Sequence, residues 1–381
     1  MKCSICGGNL ILVDRYLNLP RVSSDCKPFR SGGSLAYCES CLTVSKPLTN
    51  RLRDEIKSIY ENYEMYLISD GIEQKIFSEE GISKTRSELI INYLMDKIKM
   101  DSVGRLIDIG CGDGPTLSCF SKYFPSWDLY GLEISNRNFD KLSKISNFKN
   151  LFLEFPANGI NFNIVTMIHT LEHISNPFEF LNNSVNLLDQ HGLLLIQVPN
   201  ILRSPFDIII ADHLNHFTPK QLAKLVGDSG CEILYISTDI CPKEITIIAR
   251  KKTVDSSILK NMNINGSFVE EYDIVANIEW LNKIISQTKE ITNRHNCELG
   301  IFGTTIGAAW MVNVLNNQVK FFIDEDENKI GKKLFGIPIK HPSEIKKGEA
   351  IYLPMKPSTA KAITSRLFSN DKIEYFYPDA L

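Results

Sequence analysis

Leu106-Ile-Asp108-Ile-Gly110-Cys111-Gly112-Asp113-Gly114 is the stretch on which the fold turns. A short apolar run carrying one acid gives way to three glycines in five positions, and Pro115–Phe124 (PTLSCFSKYF) follows at helical spacing. Glycines at a strand-to-helix junction let the backbone turn tightly and approach a ligand, and the first turn of the helix offers unbonded N–H groups. Reading outward, short apolar runs alternate with amphipathic segments: DLYGLE (128–133), SNRNFDKLSKI (135–145), LFLEF (151–155), FNIVTMIH (162–169), PFEFLNNSVNLL (177–188) and GLLLIQVP (192–199). Such alternation predicts βαβ units and a parallel sheet in an α/β fold. PKQLAKLVGDSG (219–230) continues as a helix, and CEILYIST (231–238) with EITIIARKK (244–252) predicts a final strand pair. Upstream, residues 50–100 are rich in Ile, Leu, Lys and Glu at helical spacing and read as a helical connector.

The glycine spacing is G-x-G-x-G behind Asp108, not the G-x-G-x-x-G of a dinucleotide site. This favours S-adenosylmethionine, whose aminoacyl part packs against such a loop and which has no pyrophosphate to seat on a helix. Glu133 ends the second strand, where it is placed to accept hydrogen bonds from both ribose hydroxyls. Asp108, Gly110, Cys111, Gly112, Gly114, Glu133, Ile134 and His169 form the candidate donor site. The alternative, a purely structural glycine turn beside a strand-end acid, is weakened by the two signals standing at the right separation.

With 381 residues the chain exceeds what one hydrophobic core usually supports, so two or three domains are expected. Lys plus Arg number 42 against 45 Asp plus Glu, a net charge of −3, and this supplies no phosphate-tracking field for nucleic acid. The opening MKCSICGGNLILVD places cysteines where a signal peptide would be apolar, and no later run approaches the roughly 18 apolar residues of a membrane span. The expectation is a cytoplasmic protein with no membrane partner, whose paired cysteines are metal ligands instead of disulfides. Cys3-x-x-Cys6 and Cys38-x-x-Cys41 suit tetrahedral zinc, so residues 1–50 read as a zinc ribbon. Four thiolates leave the ion no open position, which makes it structural; Cys26 reads as core. A polar stretch at 252–267 is the best linker between a methyl-donor domain at 51–252 and a second, smaller Rossmann-like unit at 268–381. In that unit Gly303, Gly307 and Asp324 form only part of a dinucleotide fingerprint, which favours a lost or never-functional cofactor site.

The sequence resembles class I S-adenosylmethionine-dependent methyltransferases, in which the fourth strand ends in a pattern like His169-Thr-Leu-Glu172-His173 followed by Asn176-Pro177. More narrowly, it resembles the sugar C-methyltransferase family, which joins an N-terminal zinc domain, a central methyltransferase domain and a C-terminal Rossmann-like domain. The resemblance implies a nucleotide-linked sugar as the small-molecule substrate, partly held by the C-terminal domain. It also implies a catalytic motif of Tyr-His-Glu-His type, matched here within Phe206-Asp207-Ile-Ile-Ile210-Ala211-Asp212-His213-Leu-Asn-His216. His213 matches the last histidine and Asp212 the glutamate, whereas Ile210 and Ala211 replace the tyrosine and the first histidine. Carbon and oxygen therefore both stay open as the methylated atom. Tyr60, Tyr63 and Tyr66 resemble the family's tyrosine gate over the donor, with Tyr63 and Tyr66 as the contacts and Gln74 and Arg86 as further candidates. The same spacing also makes a plain helix face.

Methyl transfer from a sulfonium needs alignment and removal of one acceptor proton. A histidine can take it near neutral pH, and His173, His213 and His216 all follow carboxyl ends of strands, where open α/β sheets bind ligands. His213 is the first candidate base; His216 and His173 are substrate ligands or alternative bases, with Asp212 alongside. A metal-dependent hydrolase built on Asp212, His213 and His216 stays a minor alternative, because their spacing matches no metal signature. An O- or N-methyltransferase of another small metabolite remains open, as does a binding protein that senses the donor while its ribbon recruits a partner. Monomer and homodimer are both compatible with the sequence.

Overall fold

The computed structural model describes residues 1–64, 73, 75–77, 83–157, 159–252, 272–295, 299–367 and 373–381. Tyr66, Gln74 and nearly all of the expected linker at 252–267 lie outside the described residues.

The central sheet has seven strands, numbered in chain order: β1 Arg105–Ile109, β2 Asp128–Leu132, β3 Phe148–Phe152, β4 Phe162–Ile168, β5 Leu188–Pro199, β6 Cys231–Ser237 and β7 Glu244–Lys251. Their spatial order is β3-β2-β1-β4-β5-β7-β6. The first five are parallel and β7 pairs antiparallel with both β5 and β6. This is the mixed α/β sheet of a class I methyltransferase, with the closing strand pair where the sequence puts it. Leu194, Ile196, Ile247 and Ala249 in β5 and β7 are fully buried. Each such Leu or Ile contributes about 1.5–3 kcal/mol by leaving water.

Local chemistry sets the helices. Thr85 and Glu88 close a capping box at the start of Arg86–Lys97, and Thr218 with Gln221 does the same for Pro219–Asp228. Pro115, Pro177 and Pro219 each open a helix, where the missing N–H costs nothing. The expected connector at 50–100 differs from a simple helical run. Helices Asn50–Glu61 and Arg86–Lys97 flank a two-stranded hairpin, Lys75–Phe77 with Ser83–Thr85.

The ribbon does not stand apart. Strands Leu10–Leu12, Ala36–Cys38 and Val44–Ser45 form an antiparallel sheet whose fourth strand is Asn215–His216, from the segment after β5. The C-terminal unit is a six-stranded sheet in which Ile337–Lys340, Val319–Ile323, Leu299–Phe302, Ala350–Tyr352 and Glu374–Phe376 run parallel, with Lys333–Leu334 antiparallel at one edge. One core joins all three parts: Tyr16, Leu19 and Val22 pack with Phe206 and Ile208 and with Ile278, Trp280 and Trp310. Trp310 Nε1 donates to Pro20 O (2.9 Å) and Asn313 Nδ2 to Arg21 O (3.0 Å), which seats the helix Ile306–Leu315 on the N-terminal segment.

Candidate active site

A cleft of about 1130 Å³ opens at the carboxyl ends of β1, β2 and β4. Gly110, Gly112, Glu133, Ile134, His169 and His173 line it, with Tyr60 and Tyr63 across from them. Gly110 has φ +75°, and a Cβ there would lie 2.3 Å from Thr170 Oγ1, so only glycine fits. Gly112 has φ +55° with open space where a Cβ would sit. Its N–H donates to Glu133 Oε2 (3.0 Å), and the N–H of Ile134 donates to Glu133 Oε1 (2.8 Å). Each carboxylate oxygen accepts one backbone donor and keeps further lone-pair capacity toward the cleft.

Three of the candidate donor residues support the loop without lining the cleft. Asp108 is 3% exposed and accepts from Thr166 Oγ1 (2.6 Å); burial pushes its carboxyl up to about 7. The Cys111 sulfur is buried against Gly131, and Gly114 caps the next helix with its Cα against Leu142 and Ile145. Strand alternation explains Asp108, because the residue next to a cleft-facing strand end points the other way.

Behind His173 lies a buried histidine cluster. His213 Nδ1 is 2.7 Å from Asp207 Oδ1, and His216 Nδ1 is 2.6 Å from Asp207 Oδ2, so one carboxylate serves two imidazoles. Burial disfavours the Asp207 charge, but His216 and His213 outweigh it and hold the carboxyl far below its ordinary range. His173 Nδ1 is 3.0 Å from Asp212 O, and its ring meets that of His213 edge-on at 4.7 Å. Asp212 accepts from Ser24 N (2.9 Å) and Ser24 Oγ (2.5 Å). Tyr60 and Tyr63 stack at 5.2 Å, and the Tyr60 ring reaches that of His173 at 6.4 Å. His169 Nδ1 is 3.0 Å from Glu172 Oε1 and its Nε2 is 3.3 Å from Glu244 Oε2; burial opposes its charge, but the two carboxylates lift it to about 9.

Residues 84–236 match the family model described as a methyltransferase domain. The chain is an S-adenosylmethionine-dependent methyltransferase. Curated relatives of this methyltransferase include ubiquinone biosynthesis O-methyltransferases of Rickettsia bellii (strain OSU 85-389), 21% identical over 206 residues covering 50% of this chain and 85% of the relative. The Rickettsia prowazekii (strain Madrid E) protein of that name is 23% identical over 183 residues, covering 44% and 72%. Among solved structures, a SAM-dependent methyltransferase from Aquifex aeolicus aligns with a TM-score of 0.37 at 17% identity, covering 44% of this chain and 93% of its own.

The expected donor and acceptor residues of the methyltransferase therefore fall into two groups. Gly110, Gly112, Glu133, Ile134, His169 and Tyr63 meet in the cleft, whereas Asp212, His213 and His216 stand behind His173 and outside the lining. His216 is 1% exposed with both ring nitrogens in contact with protein groups, so it faces no ligand space; burial and then Lys46 push it down to about 4. His213 is 4% exposed, and its Nε2 makes no hydrogen bond among the described residues. Asp207 and Lys46 are partners of these histidines that sequence reasoning passed over. Asp207 is six residues before His213 and nine before His216, a signal available in the quoted motif, whereas nothing local points from Lys46 to residue 216. Arg86 sits at 3.7 Å from Glu244, the carboxylate that His169 also approaches.

In the ribbon, Sγ atoms of Cys3, Cys6, Cys38 and Cys41 lie within 4.8 Å of one another, with Cys3–Cys41 at 3.7 Å and Cys6–Cys38 at 3.4 Å. Tetrahedral zinc at about 2.3 Å from each thiolate needs sulfurs roughly 3.8 Å apart, so this donor set fits the ion. In the C-terminal unit Asp324 accepts from Thr304 Oγ1 (2.6 Å) and Lys329 Nζ (3.3 Å). A carboxylate already paired within the protein is a poor ribose ligand.

Proposed function

We propose that the enzyme methylates a nucleotide-linked deoxysugar, at a carbon next to a ketone or at a hydroxyl, with His213 as base and a structural zinc on Cys3, Cys6, Cys38 and Cys41. The observation that carries this is the contact between the donor-cleft wall and the carboxylate-backed imidazole: His173 lines the cleft, and His213 stands edge-on behind it with Nδ1 on Asp207. A bound donor supplies an electrophilic methyl carbon, held by the Gly110–Gly112 backbone, Glu133, Ile134 and Tyr63. The acceptor's C–H or O–H bond breaks with its proton passing to His213 Nε2. That bond's electron pair would form the new bond to the methyl carbon of a bound donor, whose C–S bond would break to leave a thioether. Burial disfavours protonated His213, but the Asp207 carboxylate outweighs it and raises the imidazole above its ordinary value, which strengthens it as a base. His173, held by Asp212 O, borders the acceptor space.

The three-part architecture of the resembling sugar C-methyltransferases supports the sugar. A second reading, O-methylation of another small metabolite, is favoured by Ile210 and Ala211, which are apolar and buried where the family carries a tyrosine and a histidine, and by the O-methyltransferase names of the curated relatives. Incubating the protein with S-adenosylmethionine and a panel of nucleotide-linked keto and hydroxy deoxysugars, followed by mass spectrometry, separates the two. One added methylene on a sugar is the expected result; donor binding with no gain on any sugar would sink the sugar reading and leave the second.

A further inference from the structure

Lys46 directly follows the ribbon strand Val44–Ser45 and is 3% exposed. Its backbone N–H donates to Leu214 O (2.8 Å). Its Nζ has three neighbours of acceptor type: Ile210 O at 2.6 Å, His213 O at 2.9 Å and His216 Nε2 at 3.3 Å. An ammonium carries three N–H donors and accepts nothing, so three partners use it fully and His216 Nε2 must present a lone pair. The proton of His216 then sits on Nδ1 and is donated to Asp207 Oδ2, while Asp207 Oδ1 takes the Nδ1–H of His213. Lys46, His216, Asp207 and His213 thus form one buried chain from the ribbon to the base.

A carboxylate shared by two imidazoles would ordinarily hold an added proton on either one. The geometry points to Lys46 as a positioning residue for the base: by facing His216 with a cation, it confines the added proton to His213. This rests on His213 being the base. The charged and titratable groups around the chain agree with it. Lys46 faces Asp207, Arg21 and Asp212; His216 faces Lys46, Asp207 and His213; His213 faces Asp207, Glu172, Asp212 and His173. Burial, helped by Arg21, draws Lys46 down to about 7, and the charges of Asp207 and Asp212 oppose that fall; below that pH the three acceptors receive the ammonium's donors. Because Lys46 belongs to the ribbon end of the chain, the ribbon that binds no substrate in this reading still tunes the methyl-transfer site.

The test replaces the charge and keeps the length, as Lys46→Met in the full chain. Losing the cation and opening His216 to protonation both raise the apparent pKa of the histidine pair, so the acid limb of kcat/KM against pH moves up by about half a unit or more. A purely structural lysine would lower activity or melting temperature and leave that limb in place; an unmoved limb overturns the inference. A second measurement needs neither turnover nor a folded variant. In the unmodified protein labelled with ¹⁵N-histidine, His216 should stay the neutral Nδ1–H tautomer from about pH 7, where Lys46 carries its proton, down to about pH 5, while His213 titrates. Titration of His216 together with or above His213 overturns it, whatever the protein methylates.

Discussion

The proposed donor side and the proposed acceptor side of this site are built in opposite ways. Gly110, Gly112, Glu133, Ile134, His169 and His173 come from successive turns at the ends of β1, β2 and β4, and they leave an open cleft. The acceptor side draws on Ser24, Lys46, Glu172 and the segment 207–216, and its polar groups are nearly all buried against one another. A cofactor shared by many enzymes can be met by a local backbone motif. A base must have its tautomer fixed, and that needs a partner for each polar atom taken out of water.

The contrast can be broken at three places. The largest effect is expected from His213→Asn, which should lower kcat about 10²- to 10⁴-fold while donor affinity by calorimetry stays within about twofold. An equal loss of donor affinity would show the two sides to be one unit. Gly110→Ala strikes the donor side. Its Cβ would lie 2.3 Å from Thr170 Oγ1 at φ +75°, so about 1–3 kcal/mol of stability should go, together with roughly tenfold of donor affinity. At saturating donor kcat should recover, and a kcat that stays low contradicts the separation.

The smallest effect sharpens the boundary between the sides, where His169 lines the cleft yet bridges Glu172 and Glu244. Its folded pKa of about 9 lies above the ordinary 6.5, so the stabilisation is fully present below 6.5 and is lost as pH rises through about 9. The melting-temperature advantage of the native protein over His169→Gln should shrink across that window. A difference that stays flat would mean the ion triplet contributes nothing there.

How much of this was legible in the sequence follows the same division. The glycine loop, Glu133 and the strand alternation are local patterns, and the sheet and the cleft carry them directly. The antiparallel pair Lys75–Phe77 with Ser83–Thr85 was hidden inside a segment of helical composition, because three residues a strand are too few to show a period of two. Asp207 stood in the quoted motif as one acid among apolar residues, with no local sign of its two partners. Lys46 reaches His216 across 170 residues, and only strand pairing between Val44–Ser45 and Asn215–His216 brings them together. Asp324 stood in the sequence as the acid of a partial dinucleotide fingerprint, and Lys329 five positions later occupies it.

The pairing of Val44–Ser45 with Asn215–His216 also bears on how the enzyme comes into being. A chain emerging from the ribosome exposes the ribbon's edge strand long before the segment that covers it exists, so that edge stays open to other partners in the interval. Covering that edge and bringing Lys46 to His216 are thus one event, and it waits for residues 215–216 to be made.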